Sequence, residues 1–420
     1  MGILGIAGNF NPIPSTQNKT VEDPPSAEKA ALTGTAATTH EASHFGGDVF
    51  QDEAPLSPMI TLIAGGSSDF AERISSPKLP MPAEVTPSSA NSFISLISGK
   101  GFQSLSESQQ AKALEVFDKA DDKGRAELVA LAKREVNGKS ALVDFCKDGK
   151  TTLLDSLQKL ATQTLPKKFA RAGIDSKELL FSVMQEAANP GMVNQDAHGT
   201  CTTASMQYML CKQNPAEYVR IIQELTSTSG KAELRGGKTL RQAQESVERD
   251  FSPKRSVSER IFQAAMMEHS TIGLYDNSRD IIILNRLSQA SSDIPELTTW
   301  GLTEYEQTKG LEAFFGRGFQ AEKDKDTLGR KLIERSEKQP TYARMKWGNN
   351  KASGHVVVVD KVENGRVYFH NPESTHILIL APNTELDRPP RILEDPPNSL
   401  ESMDMEDFKA WAQSILIEKE

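Results

Sequence analysis

The stretch GHVVVVDKVENGRVYFHNP (354–372) constrains the fold more than any other part of the chain. β-Branched residues lose side-chain freedom in a helix and pack readily on a pleated sheet, so the four-valine run is a buried strand. Asn364-Gly365 separates it from RVYFH, which has the same β-rich texture. Two such runs around an Asn-Gly pair form an antiparallel hairpin. TYARMKW (341–347) and THILILAP (375–382) read the same way, which puts a sheet in the last third of the chain.

The chain ahead of this sheet is written in a different period. SESQQAKALEVFDKA opens with Ser106 as a cap and Gln109 at the capping-box position. KGRAELVALAKREV sets Leu128, Leu131 and Val136 near one helical face, and TTLLDSLQKLATQ and SKELLFSVMQEAA repeat the pattern, with Ser176 capping the second. Further helices fall on PAEYVRIIQELTS, SERIFQAAMMEHS and LGRKLIERSEK, with a small hairpin at AELRGGKTL and a closing helix over MEDFKAWAQSILIEKE. The fold class is therefore α+β. Residues 1–90, rich in Ser, Thr, Pro, Ala and Gly, cannot bury enough apolar surface to offset chain entropy and are expected to be a disordered leader. Residues 91–190 make a helical module of four or five helices, and 191–420 a second, larger domain.

Composition narrows the possible partners. A net charge of −9 over 420 residues argues against nucleic acid, because phosphate recognition needs a basic face. No apolar run approaches the ~20 residues that span a bilayer. No Lys or Arg precedes Lys19, so the basic start of a secretory signal peptide is missing, and Ile6 stands where a myristoylation signal wants Ser or Thr. Three cysteines, Cys146, Cys201 and Cys211, do not make a disulfide framework. DKADDKG (118–124) has its Gly and final acid in the wrong places for a calcium loop and reads as a solvated turn.

One of those thiols is set for chemistry. Cys201 follows QDAHGT and opens an apolar helical stretch; His355 opens the valine strand directly after Gly354; Asn371 closes the next strand. A helix N-terminus and a neighbouring imidazole both favour the thiolate, and a side-chain amide can orient the imidazole. Gln195, six positions before Cys201, can join the Cys201 backbone N–H as an oxyanion donor. Cys146 and Cys211 read as core. His198, Cys201, His355 and His370 can be drawn as four zinc ligands, but no CxxC or HExxH spacing supports it. His198 instead reads as a loop residue at a cleft mouth, and His269 and His376 as surface or strand-end residues.

Gln195, Gly199, Cys201, Gly354-His355 and Asn371 resemble, in identity and order, the motif residues of the papain-like cysteine peptidases. The likeness covers roughly residues 190–385. Here His198 replaces a common second Cys, Thr202 the usual aromatic residue, and HNPES lacks the usual Trp after the Asn. The strand pair looks closer to bacterial papain-like toxins, effectors and bacteriocin-processing peptidases than to lysosomal enzymes. The resemblance implies a helical lobe and a β lobe with the site between them. It also implies Cys201 as nucleophile, His355 as base, Asn371 as orienter and Gln195 as oxyanion donor, with no metal and no cofactor. The expected activity is proteolysis of a host or rival-cell protein after export by a specialised machine, with an export chaperone at the leader. Glutamine deamidation or transglutamination would run on the same thioester, and a non-enzymatic docking protein on a papain-like scaffold is the remaining alternative.

Hairpin parity sharpens the triad. His355, Val357 and Val359 share one face of the strand. A two-residue Asn364-Gly365 turn pairs Val359 with His370 and turns Asn371 away from His355. A three-residue turn, Glu363-Asn364-Gly365, brings Asn371 diagonally onto the face of His355. The triad therefore predicts the three-residue turn or a compensating bulge, with Asn371 essential and His370 nearly silent.

Overall fold

In a computed structural model of the chain, residues 86–419 are described, apart from 197, 248–254, 272–274, 276, 278–300, 337, 347–353, 374–390 and 393–399. Most of the leader, THILILAP and His376 lie outside these residues. No described helix is long and apolar enough to cross a membrane.

The first part is helical: α1 (Pro87–Ser98), α2 (Lys100–Gln103), α3 (Glu107–Lys119), α4 (Asp122–Lys133), a small hairpin of β1 (Glu135–Val136) and β2 (Lys139–Ser140), α5 (Leu153–Thr162), α6 (Lys167–Arg171) and α7 (Ser176–Ala188). Local signals explain the boundaries. Ser106 accepts from the Gln109 amide and Gln109 from the Ser106 amide, the expected capping box of α3. In the acidic turn, Asp121 caps α4 by accepting from Gly124 N at 2.7 Å. Leu128 and Leu131 are fully buried on α4, but the helix ends at Lys133 and Val136 sits in β1. Asp175 takes the cap position of α7, so Ser176 is its first helical residue.

Next come α8 (Cys201–Gln213), α9 (Pro215–Leu225), the antiparallel pair β3 (Lys231–Glu233) and β4 (Thr239–Arg241), α10 (Val257–Ser270), α11 (Glu304–Phe315), β5 (Phe319–Glu322) and α12 (Lys325–Ser336). The sheet adds β6 (Thr341–Lys346), β7 (Gly354–Glu363), β8 (Arg366–His370), β9 (Arg391–Ile392) and β10 (Leu400–Asp404). The chain closes with α13 (Met405–Trp411) and β11 (Ala412–Glu418). The seven strands run in the order β5-β11-β6-β7-β8-β10-β9, every pair antiparallel. The closing helix expected over 405–420 is thus corrected. It stops at Trp411, and AQSILIE becomes a strand between β5 and β6, because Ile415, Leu416 and Ile417 bury on both faces of the sheet. The architecture is α+β, as expected.

One apolar cluster runs from Phe93 in α1 through Leu180 in α7 and Met206 in α8 to Tyr342, Val356 and Val358 on one face of the sheet. A second covers the opposite face, where Val357, Val359, Val367 and Phe369 pack on Leu328, Leu332 and Phe408. The four valines are buried because they serve two cores at once. Burying a valine side chain gives about 1.5 kcal/mol or more, so this strand anchors both layers.

The turn between β7 and β8 departs from the three-residue expectation. Glu363 pairs with Arg366, and Asn364 and Gly365 both have positive φ, at 50° and 75°, a two-residue type I′ turn. A β-bulge at Asp360 restores the phase, since Val359 pairs with Phe369 and Val358 with His370, while Lys361 pairs with Tyr368. The extra residue is pinned from α8: Tyr208 Oη donates to Asp360 Oδ1 at 3.0 Å, and Lys212 forms an ion pair with the same oxygen.

Candidate active site

The site forms where α8 begins. Thr200 occupies the cap position but donates its hydroxyl to Gln263 Oε1 at 2.7 Å, leaving α8 without a side-chain cap, and no acid stands in its first turn. The positive end of the helix is therefore not neutralised at Cys201. α8 is buried on all sides from Cys201 to Cys211, and Cys201 keeps 6% exposure.

His355 is the second residue of β7, opposite Met345 of β6, at the end of the sheet that the start of α8 meets. Of the neighbouring side chains, the Cys201 thiol acts most strongly on its imidazole. On the other side, His355 Nε2 lies 2.7 Å from Asn371 Oδ1. Burial alone would lower the imidazole's pKa. The hydrogen bond and charge of Cys201 outweigh it, helped by Glu373 and Asn371, and raise it to about 9.

Asn371 reaches this position through the bulge. The Val358–His370 register places Asn371 on the same face as Val357 and His355, where the two-residue turn alone would have reversed it. Asn371 Oδ1 also accepts from Glu373 N at 3.1 Å, and its Nδ2 donates to Glu401 Oε1 at 3.0 Å.

Gln195 joins through its backbone. Its N–H donates to Pro372 O at 2.8 Å, tying its loop to the residue after Asn371, and its carbonyl accepts from His198 N at 3.3 Å. The loop is shaped by Asp196, which adopts φ 50° with its N–H on Asn194 Oδ1 at 2.7 Å. Gln195 is 7% exposed, and its Oε1 has no partner among the described residues.

The structure therefore brings Cys201, His355 and Asn371 into direct series and places Gln195 at the residue following Asn371. His198 is buried at 2% exposure, so it does not stand at a cleft mouth. His269 is half-buried in the last turn of α10. His370 is the opposite of His355: it stacks on Tyr208 with ring centroids 4.1 Å apart, and desolvation lowers its pKa to about 4. Cys146 and Cys211 are buried core thiols, and desolvation pushes Cys146 up to about 12. Among the described residues, no three His, Cys, Asp or Glu side chains are grouped to hold a metal ion.

Sequence reasoning passed over Glu401 and Glu373. Glu401 is 2% exposed and stands on β10 opposite Phe369. Nothing in LESMD, where Glu401 and Ser402 stand side by side with no alternating pattern, marks an inward-facing carboxylate.

Chemically, a thiol, an imidazole and an amide acceptor in series can pass the thiol proton to the ring and hold the resulting imidazolium. No family model, curated protein or solved structure matches this chain.

Proposed function

We propose that this chain is a papain-like cysteine protease acting on a protein substrate. The observation that carries the reading is the 2.7 Å contact between His355 Nε2 and Asn371 Oδ1, on a ring whose pKa is raised mainly by the thiol at the start of α8. In this reading α8 is the central helix and the seven-stranded sheet the β lobe. The Cys201 thiolate adds to the scissile carbonyl, and the negative oxygen is met by the Cys201 N–H and the Gln195 amide. The His355 imidazolium gives its proton to the leaving amine, leaving a thioester. His355 then takes a proton from water, whose oxygen attacks the thioester and releases the acid and the thiol. Asn371 holds the ring in line throughout. The likeness of the strand pair to bacterial toxins and effectors points the substrate search to proteins of a host or rival cell.

The test incubates wild type and Cys201→Ala with lysate from such a cell and compares new protein termini by mass spectrometry. New termini only with wild type are expected. Ammonia release or a new isopeptide link without cleavage would move the reading to deamidation or transglutamination. Identical products from the two proteins, with Cys201 alkylated no faster than Cys146 or Cys211, would remove the enzyme reading. Once a cleaved peptide is known, Gln195→Ala lowers its rate constant by ~10²-fold or more with little change in binding.

A further inference from the structure

Behind the orienting amide lies a buried carboxylate. Glu401 Oε1 accepts from Asn371 Nδ2 at 3.0 Å, while Oε2 is buried and has no partner among the described residues. This matters because an imidazolium carries only N–H donors and an asparagine amide has two unlike ends. Turned around, Asn371 would set its NH2 against the ring N–H. With an acceptor at Nδ2, only one orientation satisfies both neighbours: Oδ1 towards His355 and Nδ2 towards Glu401. The Glu373 amide, donating to the same Oδ1, enforces that choice.

We propose that Glu401 is a positioning residue of the catalytic apparatus, fixing the Asn371 amide with its oxygen towards His355 and setting a negative charge behind the imidazolium. The inference rests on the thiol-enzyme reading above and extends its Cys-His-Asn series to a fourth member.

The groups that bear on His355 come from four directions. Cys201 faces it from α8, and Glu373 acts from beyond β8. Glu401 stands on β10, where His355 and Glu373 act on it in opposite senses. On β6, Arg344 packs against Gly354, and the buried Tyr342 feels both Cys201 and Arg344. Burial raises the Glu401 pKa, while the Asn371 hydrogen bond and the positive His355 pull it back. Its charged form is thus coupled to the charged form of His355. The Asn371 amide transmits the orientation, and the field transmits the charge.

Two variants separate these roles. Glu401→Gln keeps an acceptor oxygen for Asn371 Nδ2 and removes the charge, whereas Glu401→Leu removes both. The readout is the NMR titration of His355 in full-length chain carrying labelled histidine, alongside Cys201 alkylation by iodoacetamide at pH 6. In wild type the His355 midpoint is expected at about 9. In Glu401→Gln it falls by about one pH unit, since an opposite charge nearby favours the imidazolium. In Glu401→Leu it falls at least as far, alkylation slows towards that of Asn371→Ala, and Glu401→Asp restores much of both. A purely structural role would lower the melting temperature of the variants and leave the His355 midpoint in place. An unmoved midpoint in Glu401→Gln and Glu401→Leu, with Asn371→Ala still shifting it, overturns the role of Glu401 alone. Equal alkylation of wild type and His355→Ala overturns the thiol-enzyme reading and the role of Glu401 with it.

Discussion

Two buried polar clusters meet at α8, and they are built differently. On the helical side, Glu186 of α7 is saturated: Oε1 accepts from Ser256 and Ser258 hydroxyls at 2.5 and 2.7 Å, and Oε2 from Gln207 at 2.8 Å and from Tyr218. Gln207 accepts in turn from Gln263 at 3.0 Å, and Gln263 receives Thr200 and donates to Asn194 O at 2.9 Å. At the sheet end, the His355–Asn371–Glu401 series has spare acceptors: Gln195 Oε1, Glu373 Oε2 and Glu401 Oε2 lack partners among the described residues. The first cluster braces the loop that delivers Gln195 and Cys201. In the proposed reading, the second keeps acceptor capacity where a proton and a charge have to move. A satisfied network fixes one geometry, and an unsatisfied one in the same protein marks the place where charge changes.

Replacing the brace should therefore cost stability, and replacing the series should cost turnover. The largest effect is expected for Glu186→Leu, which removes the shared acceptor of four donors, three of them buried. It should lower unfolding stability by about 3 kcal/mol or more in urea titration. A loss under 1 kcal/mol would mean that the cluster braces nothing. Next, releasing Asp360 with Tyr208→Phe and Lys212→Met lets the bulge close into a regular hairpin, which pairs Val358 with Asn371, turns the amide from His355 and reduces turnover about as much as Asn371→Ala, ~10²-fold or more. Deleting Asp360 from the same variant sets Val357 opposite Asn371 again without a bulge and should recover much of the rate. Failure of that second change to help would show that the register does not set the triad.

His370 sharpens the contrast on a smaller scale. It is buried against Tyr208, so His370→Ala leaves a cavity and should cost about 2 kcal/mol of stability, while the turnover of folded molecules changes little. The expected near-silence of this substitution concerns the chemistry alone, not stability. The smallest effect is in pH. His355, raised to about 9, stabilises the fold fully below its ordinary 6.5 and loses that contribution as pH rises through about 9. His370, lowered to about 4, contributes fully above 6.5 and loses it as pH falls through about 4. Melting temperature should thus peak near pH 6.5 and decline on both sides, each limb worth on the order of 2 kcal/mol. His355→Gln should flatten the alkaline limb only, and His370→Gln the acid limb only.

The helices were readable wherever a cap and a 3.6-residue period coincide, as in α3 with Ser106 and Gln109. They were misread where the period runs past the boundary, as at Val136, or where a strand follows a helix without a break, as in β11. Cys201, His355 and Asn371 could be named because each sits at an element end with its own local signal. Glu401 could not, because its role depends on β10 pairing with β8 across a long connector.

By itself the sequence determined the helical first part, the valine strand, its Asn-Gly turn and the placing of a thiol at a helix start. These are local matters of side-chain shape, capping and backbone preference, decided within a few residues. The tertiary structure decided the register of that hairpin. The turn is two residues long, and the phase that carries Asn371 to His355 comes from a bulge whose extra residue, Asp360, is held by Tyr208 and Lys212 of α8. It also decided that AQSILIE is a strand inside the sheet and that a carboxylate of β10 stands behind the amide. The physical reason is the same in each case: a strand has no partner within itself, so its pairing, facing and function are settled only when distant segments supply the other half of its hydrogen bonds and its core.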